Sequence, residues 1–229
     1  MARARQTQCA NNVRQLGTAL QGFVAENHTY PLCINPDYLT GGYPEHRSSW
    51  IAVLQHTELS QSTNHMNASE YLSKGVWLCP SARKRSRLPQ DKLILSYGYN
   101  SYGMSAKAAT NAMGLGGHYV WVAPRLPAPP VNESEVTIPS EMMAIGDGFT
   151  GGDGVIRDFG FDLRRTYGIE DYLGSTERAR SRHRSKANVV FCDGHVEPPA
   201  LKFLFDDTSD DALSRWNRDH QPHRERLAP

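Results

Sequence analysis

The chain lacks an excess of either charge: 25 lysines and arginines meet 24 aspartates and glutamates across 229 residues, a formal net charge of +1. A molecule so balanced has no overall field to gather nucleic acid or an anionic membrane, so any charged partner must be held by a local patch. Apolar residues are scarce as well, at 39% against the roughly 45–50% of ordinary soluble domains, which predicts a lean core and many surface loops. No run approaches the ~20 consecutive apolar residues that a spanning helix needs, and no basic-then-apolar leader opens the sequence. The 19 glycines and 14 prolines fall short of the share, roughly 25–30%, that marks low-complexity polymers, so a folded domain is expected.

Catalytic vocabulary is missing too. No Gly-x-Ser-x-Gly elbow, His-Glu-x-x-His pair or phosphate-binding loop occurs, and without such an arrangement the chain is not expected to be an enzyme. The four cysteines, Cys9, Cys33, Cys79 and Cys192, include no Cys-x-x-Cys and no zinc-ligand ladder. Three fully paired connectivities are open to them, and spacing does not choose.

What is present begins with a helix. Cys9, Val13, Leu16, Leu20 and Phe23 recur at steps of four and three, which places them on one stripe of a helix over residues 7–27, roughly 30 Å long. Asn27-His28 and then Tyr30-Pro31 supply the stop. The start is unusual, because Arg3 and Arg5 put cations where the helix dipole favours carboxylates, and no capping box precedes Cys9. The expectation is that the natural helix extends further back.

Later segments read as shorter elements. Trp50, Val53, Leu54 and Thr57 predict a second helix within 44–58. Leu93, Leu95, Tyr97 and Tyr99 alternate as on a half-buried strand, and residues 141–145 form another strand closed by Gly146-Asp147-Gly148. Residues 101–135 are rich in glycine and proline and read as irregular chain, as do the roughly 35 residues after Gly148. Asp193-Gly194 between two strand-like runs predicts a two-residue hairpin with a type I′ turn. The fold class expected is α+β, a long N-terminal α-helix packed on an antiparallel sheet with large loops: residues 1–28 the helix, 29–197 the globular part, and 198–229 an acidic, histidine-containing tail.

Candidate sites follow from chemistry. Asp147 and Asp153 flank a glycine-rich turn whose carbonyls suit the hard oxygen shell of calcium; Asp206, Asp207, Asp210 and Asp211 form a rival acidic group. His183, Asp193 and His195 are a weaker metal candidate, because Asp193 is already explained as a turn former. Arg178, Arg180, Arg182, Arg184 and Lys186 fall on every second residue, so an extended strand would aim all five at one face as an anion-binding stripe. Tyr97, Tyr99, Tyr102 and Trp216 are read first as packing aromatics.

His183, nine intervening residues and then Asp193-Gly194 make up the signature of the prepilin-type processing-associated H-x(9)-D-G proteins. The chain resembles that family, which is similar to type IV pilins and type II secretion pseudopilins. Residues 7–17 (TQCANNVRQLG), Leu78-Cys79-Pro80-Ser81, Ser96-Tyr97-Gly98-Tyr99-Asn100 and Pro139-Ser140-Glu141 resemble its other motifs, so the likeness runs from about residue 7 to 197. The resemblance implies a non-catalytic, pseudopilin-like subunit of a type II secretion or type IV pilus-like fibre. Its helix continues back into a membrane-embedded half, which this sequence lacks, and its partners are other pilin or pseudopilin subunits and the secretion machinery. It further implies an extracytoplasmic location with an inner-membrane anchor, a calcium loop as in major pseudopilins, and Val13, Leu16, Leu20 and Phe23 packing on the sheet. Nucleic acid is not an expected partner on that reading. The alternative is an extracytoplasmic module that binds anionic polysaccharide or DNA through the arginine row. Whether Cys33 and Cys79 pair is left open.

Overall fold

The computed structural model describes residues 2–33, 50–55, 59, 75–81, 96–104, 112–118, 129–148, 182–205 and 207–227. Its first element, α1 (Ala2–Asn27), is 26 residues long and has no acidic residue in its first turn. At 1.5 Å per residue it extends for about 39 Å. The stripe predicted from the spacing is the buried face: Cys9, Val13, Leu16 and Leu20 are at most 1% exposed, and Phe23 and Val24 pack partly buried against the same core. Each such aliphatic side chain contributes roughly 1.5–3 kcal/mol through burial. The other faces carry Arg3, Arg5, Gln8, Asn11, Arg14, Gln15 and Thr18, all exposed.

Gly17 lies on the buried side because nothing larger fits. A Cβ there would stand 2.4 Å from Cγ2 of Val190, so the absent side chain lets helix and sheet meet. The helix ends where Asn27-His28 predicted. His28 turns into the left-handed region at φ 57°, its N–H returns to Val24 O at 2.7 Å, and Asn27 Nδ2 donates to Phe23 O at 2.8 Å. Those two bonds satisfy carbonyls that the last turn leaves open.

Four short strands form one antiparallel sheet in the order β1 (Tyr97–Tyr99), β2 (Met143–Asp147), β3 (Val189–Phe191), β4 (Val196–Glu197). Side chains alternate between faces: Val190 joins the core under α1, while Val189 and Phe191 join a second core on the opposite face. An irregularity between Met143 and Ile145 in the pairing with β3 breaks the alternation in β2. Ala144 and Ile145 both face the α1 core, and Met143 faces the other, as a bulged strand permits. On the α1 side, α2 (Trp50–Leu54) completes the packing. Trp50 stacks on Tyr99 at 5.2 Å between centroids and meets Trp77 edge-on at 5.7 Å. The remainder of the predicted 44–58 helix, apart from Gln55, lies outside the described residues, as do Leu93 and Leu95.

The tail forms a full packing layer. Helices α3 (Leu201–Phe205) and α4 (Asp210–Ser214) bring Leu204, Leu213 and Trp216, none more than 1% exposed, against Met143, Val189 and Phe191. Ser209 caps α4 by accepting from Ala212 N at 3.3 Å. Buried asparagines hold this layer in place. Asn100 Nδ2 donates to Met143 O and Trp216 O at 2.8 and 2.9 Å while its Oδ1 accepts from Gly103 N at 3.0 Å. Asn217 Oδ1 accepts from Met104 N at 2.9 Å. Arg218 reaches the carbonyls of Ala112 and Gly114, the latter at 3.1 Å, and lies 3.4 Å from Glu135.

The Asp193-Gly194 hairpin exists, but not with the predicted turn. Only Gly194 has positive φ, 89°, whereas a type I′ turn needs it at both central residues. Gly194 N donates to Phe191 O at 2.9 Å and Phe191 N to His195 O at 3.0 Å. This is a three-residue connection: a type I turn over 191–194 closed by a left-handed glycine bulge.

Candidate functional site

Four distant segments meet at the sheet end where β2 stops. Helix α1 supplies Cys9; the chain after the Gly75–Trp77 turn supplies Cys79; the last residue of β2 supplies Asp147; and the turn before β3 supplies His183. One ligand-capable atom from each lies within 4.8 Å of all the others, and all four residues are buried. Among the described residues this is the only such convergence of three or more His, Cys, Asp or Glu side chains.

Cys9 and Cys79 form a disulfide across 70 residues, with Cα atoms 5.2 Å apart. Asn12, one turn along α1, reinforces the junction by donating Nδ2 to Leu78 O at 3.0 Å. His183 Nε2 stands 3.4 Å from Cys79 Sγ and 3.5 Å from Asp147 Oδ2. Asn188 fixes that carboxylate by donating from its backbone N at 2.7 Å and from Nδ2 at 2.9 Å, both to Oδ2. Asp147 Oδ1 is buried and has no hydrogen-bond partner among the described residues. A buried carboxylate left half-satisfied is costly, and costlier if its charge has no counter-ion.

The backbone pays to place the imidazole. His183, Arg184 and Ser185 all lie in the left-handed region at φ 54°, 59° and 61°, a conformation that costs roughly 1–2 kcal/mol per non-glycine residue. Strain of this kind persists only where surrounding contacts over-determine it. One such contact is Leu201 N donating to Ser185 O at 2.9 Å.

The H-x(9)-D-G signature therefore divides between two places. His183 enters the sulfur cluster, whereas Asp193 and His195 are not part of it. They pair with each other at the hairpin tip, His195 Nδ1 lying 2.6 Å from Asp193 Oδ1. The tip is nevertheless anchored: Gln21 of α1 donates Nε2 to Cys192 O at 2.8 Å, and Asp193 N donates to Pro139 O at 3.2 Å. A Cβ on Gly194 would approach that glutamine amide to 3.0 Å. Two of the motifs singled out in the sequence, Pro139-Ser140-Glu141 and Asp193-Gly194, are thus neighbours.

Other sequence candidates fare differently. Asp147 is a buried strand residue beside sulfur and imidazole; Asp153 and the glycine-rich turn after Gly148 lie outside the described residues. In the acidic tail Asp207 Oδ1 accepts from Ser209 N at 2.8 Å, Asp210 pairs with Arg224 at 2.7 Å and Asp211 with Arg215 at 3.1 Å, so these carboxylates serve the local helix and turn; Asp206 is outside the described residues. Arg178, Arg180 and the side chain of Arg182 also lie outside them. Arg184 and Lys186 are exposed, but the left-handed turn at 183–185 replaces the extended chain that would align the row. Tyr97, Tyr99 and Trp216 are packing residues, each at most 2% exposed.

Cys192 is outside the disulfide and buried. Burial pushes its thiol up to about 12, with Tyr30 hydrogen-bonded to it and pulling the other way. Burial also raises the Tyr30 phenol. The pair stays neutral, which makes Cys192 a packing thiol and not a nucleophile.

Residues 2–121 match the family described as "Protein of unknown function (DUF1559)", and the chain belongs to that family. No curated protein and no solved structure matches it.

Proposed function

We propose that this chain is the part outside the membrane of a non-catalytic, pseudopilin-like subunit of a type II secretion or type IV pilus-like fibre. The observation that supports this reading best is the geometry of α1: one long helix, one face sealed on an antiparallel sheet, the remaining faces polar and exposed from Arg3 to Thr18. Membership of DUF1559 is compatible with a pilin-like secreted protein. In a fibre subunit the sealed face fixes the helix to its own domain and the exposed face is left for adjacent subunits.

No helix among the described residues is long and apolar enough to cross a membrane. On this reading an apolar segment ahead of α1 in the full-length protein provides the inner-membrane anchor. The Cys9–Cys79 disulfide suits an oxidising, extracytoplasmic compartment.

The experiment is done in cells carrying the native gene with a C-terminal epitope. The product should fractionate with the inner membrane and with sheared surface material, and single cysteines at Arg14 or Thr18 should give crosslinked ladders of subunits. Recovery of an uncrosslinked monomer in the cytosol would refute the proposal.

A further inference from the structure

We propose that the reduced chain binds one zinc ion between Cys9, Cys79, His183 and Asp147, so that the same four residues fasten α1 by a disulfide when oxidised and by a metal when reduced. Two thiolates, an imidazole and a carboxylate form a complete tetrahedral zinc set, and the soft sulfur donors select zinc over calcium or magnesium. Ligand atoms of a zinc tetrahedron stand roughly 3.3–3.8 Å apart, given the usual bond lengths. His183 Nε2 already lies 3.4 Å from Cys79 Sγ, an edge of such a figure, and 3.5 Å from Oδ2 of the same Asp147 carboxylate whose other oxygen would be the ligand.

Two further observations point to a ligand. Asp147 Oδ1 is buried without a partner among the described residues, while Oδ2 is held by two donors from Asn188; that is the arrangement of a carboxylate oriented by an outer shell with one oxygen left for a metal. The left-handed turn at 183–185 also aims the imidazole at the sulfur atoms. The disulfide offers Asp147 Oδ1 neither a donor nor a charge, and His183 faces the other oxygen.

The exchange balances with a dithiol reductant. The reductant passes two electrons and two protons to the disulfide and becomes a disulfide itself, releasing Cys9 and Cys79 as thiols. Zinc then displaces both thiol protons to solvent and leaves a neutral imidazole and an ionised carboxylate as the remaining ligands.

The test uses the whole chain reduced by a non-chelating phosphine and titrated anaerobically with cobalt(II), then with zinc(II). One equivalent of cobalt should develop thiolate charge-transfer absorption and the intense visible bands of a tetrahedral site, zinc should abolish both, and the oxidised chain should show neither. His183→Ala should weaken cobalt binding at least about tenfold. Zinc should also raise the melting temperature of the reduced wild type and not of the oxidised one, a readout independent of whether the variant folds. Reduced wild type that takes up no cobalt, folded or unfolded, overturns the proposal; so do bands of unchanged affinity in His183→Ala.

Discussion

One face of the four-stranded sheet is covered by a 26-residue helix with the five-residue α2 beside it, and the other by two five-residue helices and irregular chain. The first cover is apolar, periodic and covalently fastened through Cys9–Cys79. The second is stitched by polar groups: Asn100 and Asn217 inside, Arg218 and Glu135 at the margin. A long amphipathic helix brings its own hydrogen bonds and needs only a complementary surface, whereas short elements leave many backbone groups open and require side chains to close them. The contrast shows how a lean sequence supports two cores.

The largest effect is expected from breaking the helix face. Leu20→Asp removes a fully buried leucine and adds an unpaired carboxylate, at a cost of about 5 kcal/mol, comparable with the entire stability of a small domain. No cooperative thermal transition should remain, and a normal one would contradict the packing. Asn100→Ala tests the other face. It strands two buried carbonyls and one N–H, costing about 3 kcal/mol in denaturant titration, and it should loosen Trp216 enough to shift its fluorescence to the red. Unchanged fluorescence would show that the asparagine does not hold the tail.

A subtler probe sharpens the fit between helix and sheet. Gly17→Ala gains up to about 1 kcal/mol of helix propensity but forces a methyl into Val190, an overpacking cost of roughly 1–3 kcal/mol. Net destabilisation is expected in the wild type, and a neutral or favourable change in a Val190→Ala background. The same sign in both backgrounds would remove steric contact as the cause.

The smallest effect concerns pH at the tail's margin. Burial tends to raise Glu135, but the Asn132 backbone N–H and His118 outweigh it and hold the carboxyl below its ordinary value of 4.5. A depressed carboxyl stabilises the fold above its unfolded value and loses that contribution as pH falls through its folded one. Stability should therefore decline on acidification below 4.5, and Glu135→Gln should flatten part of that decline when melting is followed against pH. An identical slope in the variant would assign the loss to other carboxylates.

The two faces also differ in how far residue order reveals them. The stripe of Cys9, Val13, Leu16 and Leu20 is legible because helical periodicity is local. The hairpin is legible from Asp193-Gly194, yet its turn type is not, because φ at Asp193 depends on how Cys192 and Asp193 are held by Met142 and Pro139 carbonyls. That the acidic tail holds a short helix laid over the body is legible, but five-residue helices carry too few turns to fix their bounds or buried face, and Asn100 has no local mark of its three partners. The sulfur cluster is the hardest case. Cys9 sits on the predicted buried stripe and Cys79 ends an apolar run, which hints at proximity. His183 and Asp147 join them only through sheet register, and Asp147 read in isolation is a glycine-turn aspartate.

Hydrogen exchange of the oxidised chain, followed peptide by peptide, tests most directly whether α1 is an integral part of the domain. Amides of residues 13–23 should exchange as slowly as those of β2 and β3. Rapid exchange through 13–23 while the sheet stays protected would contradict the account.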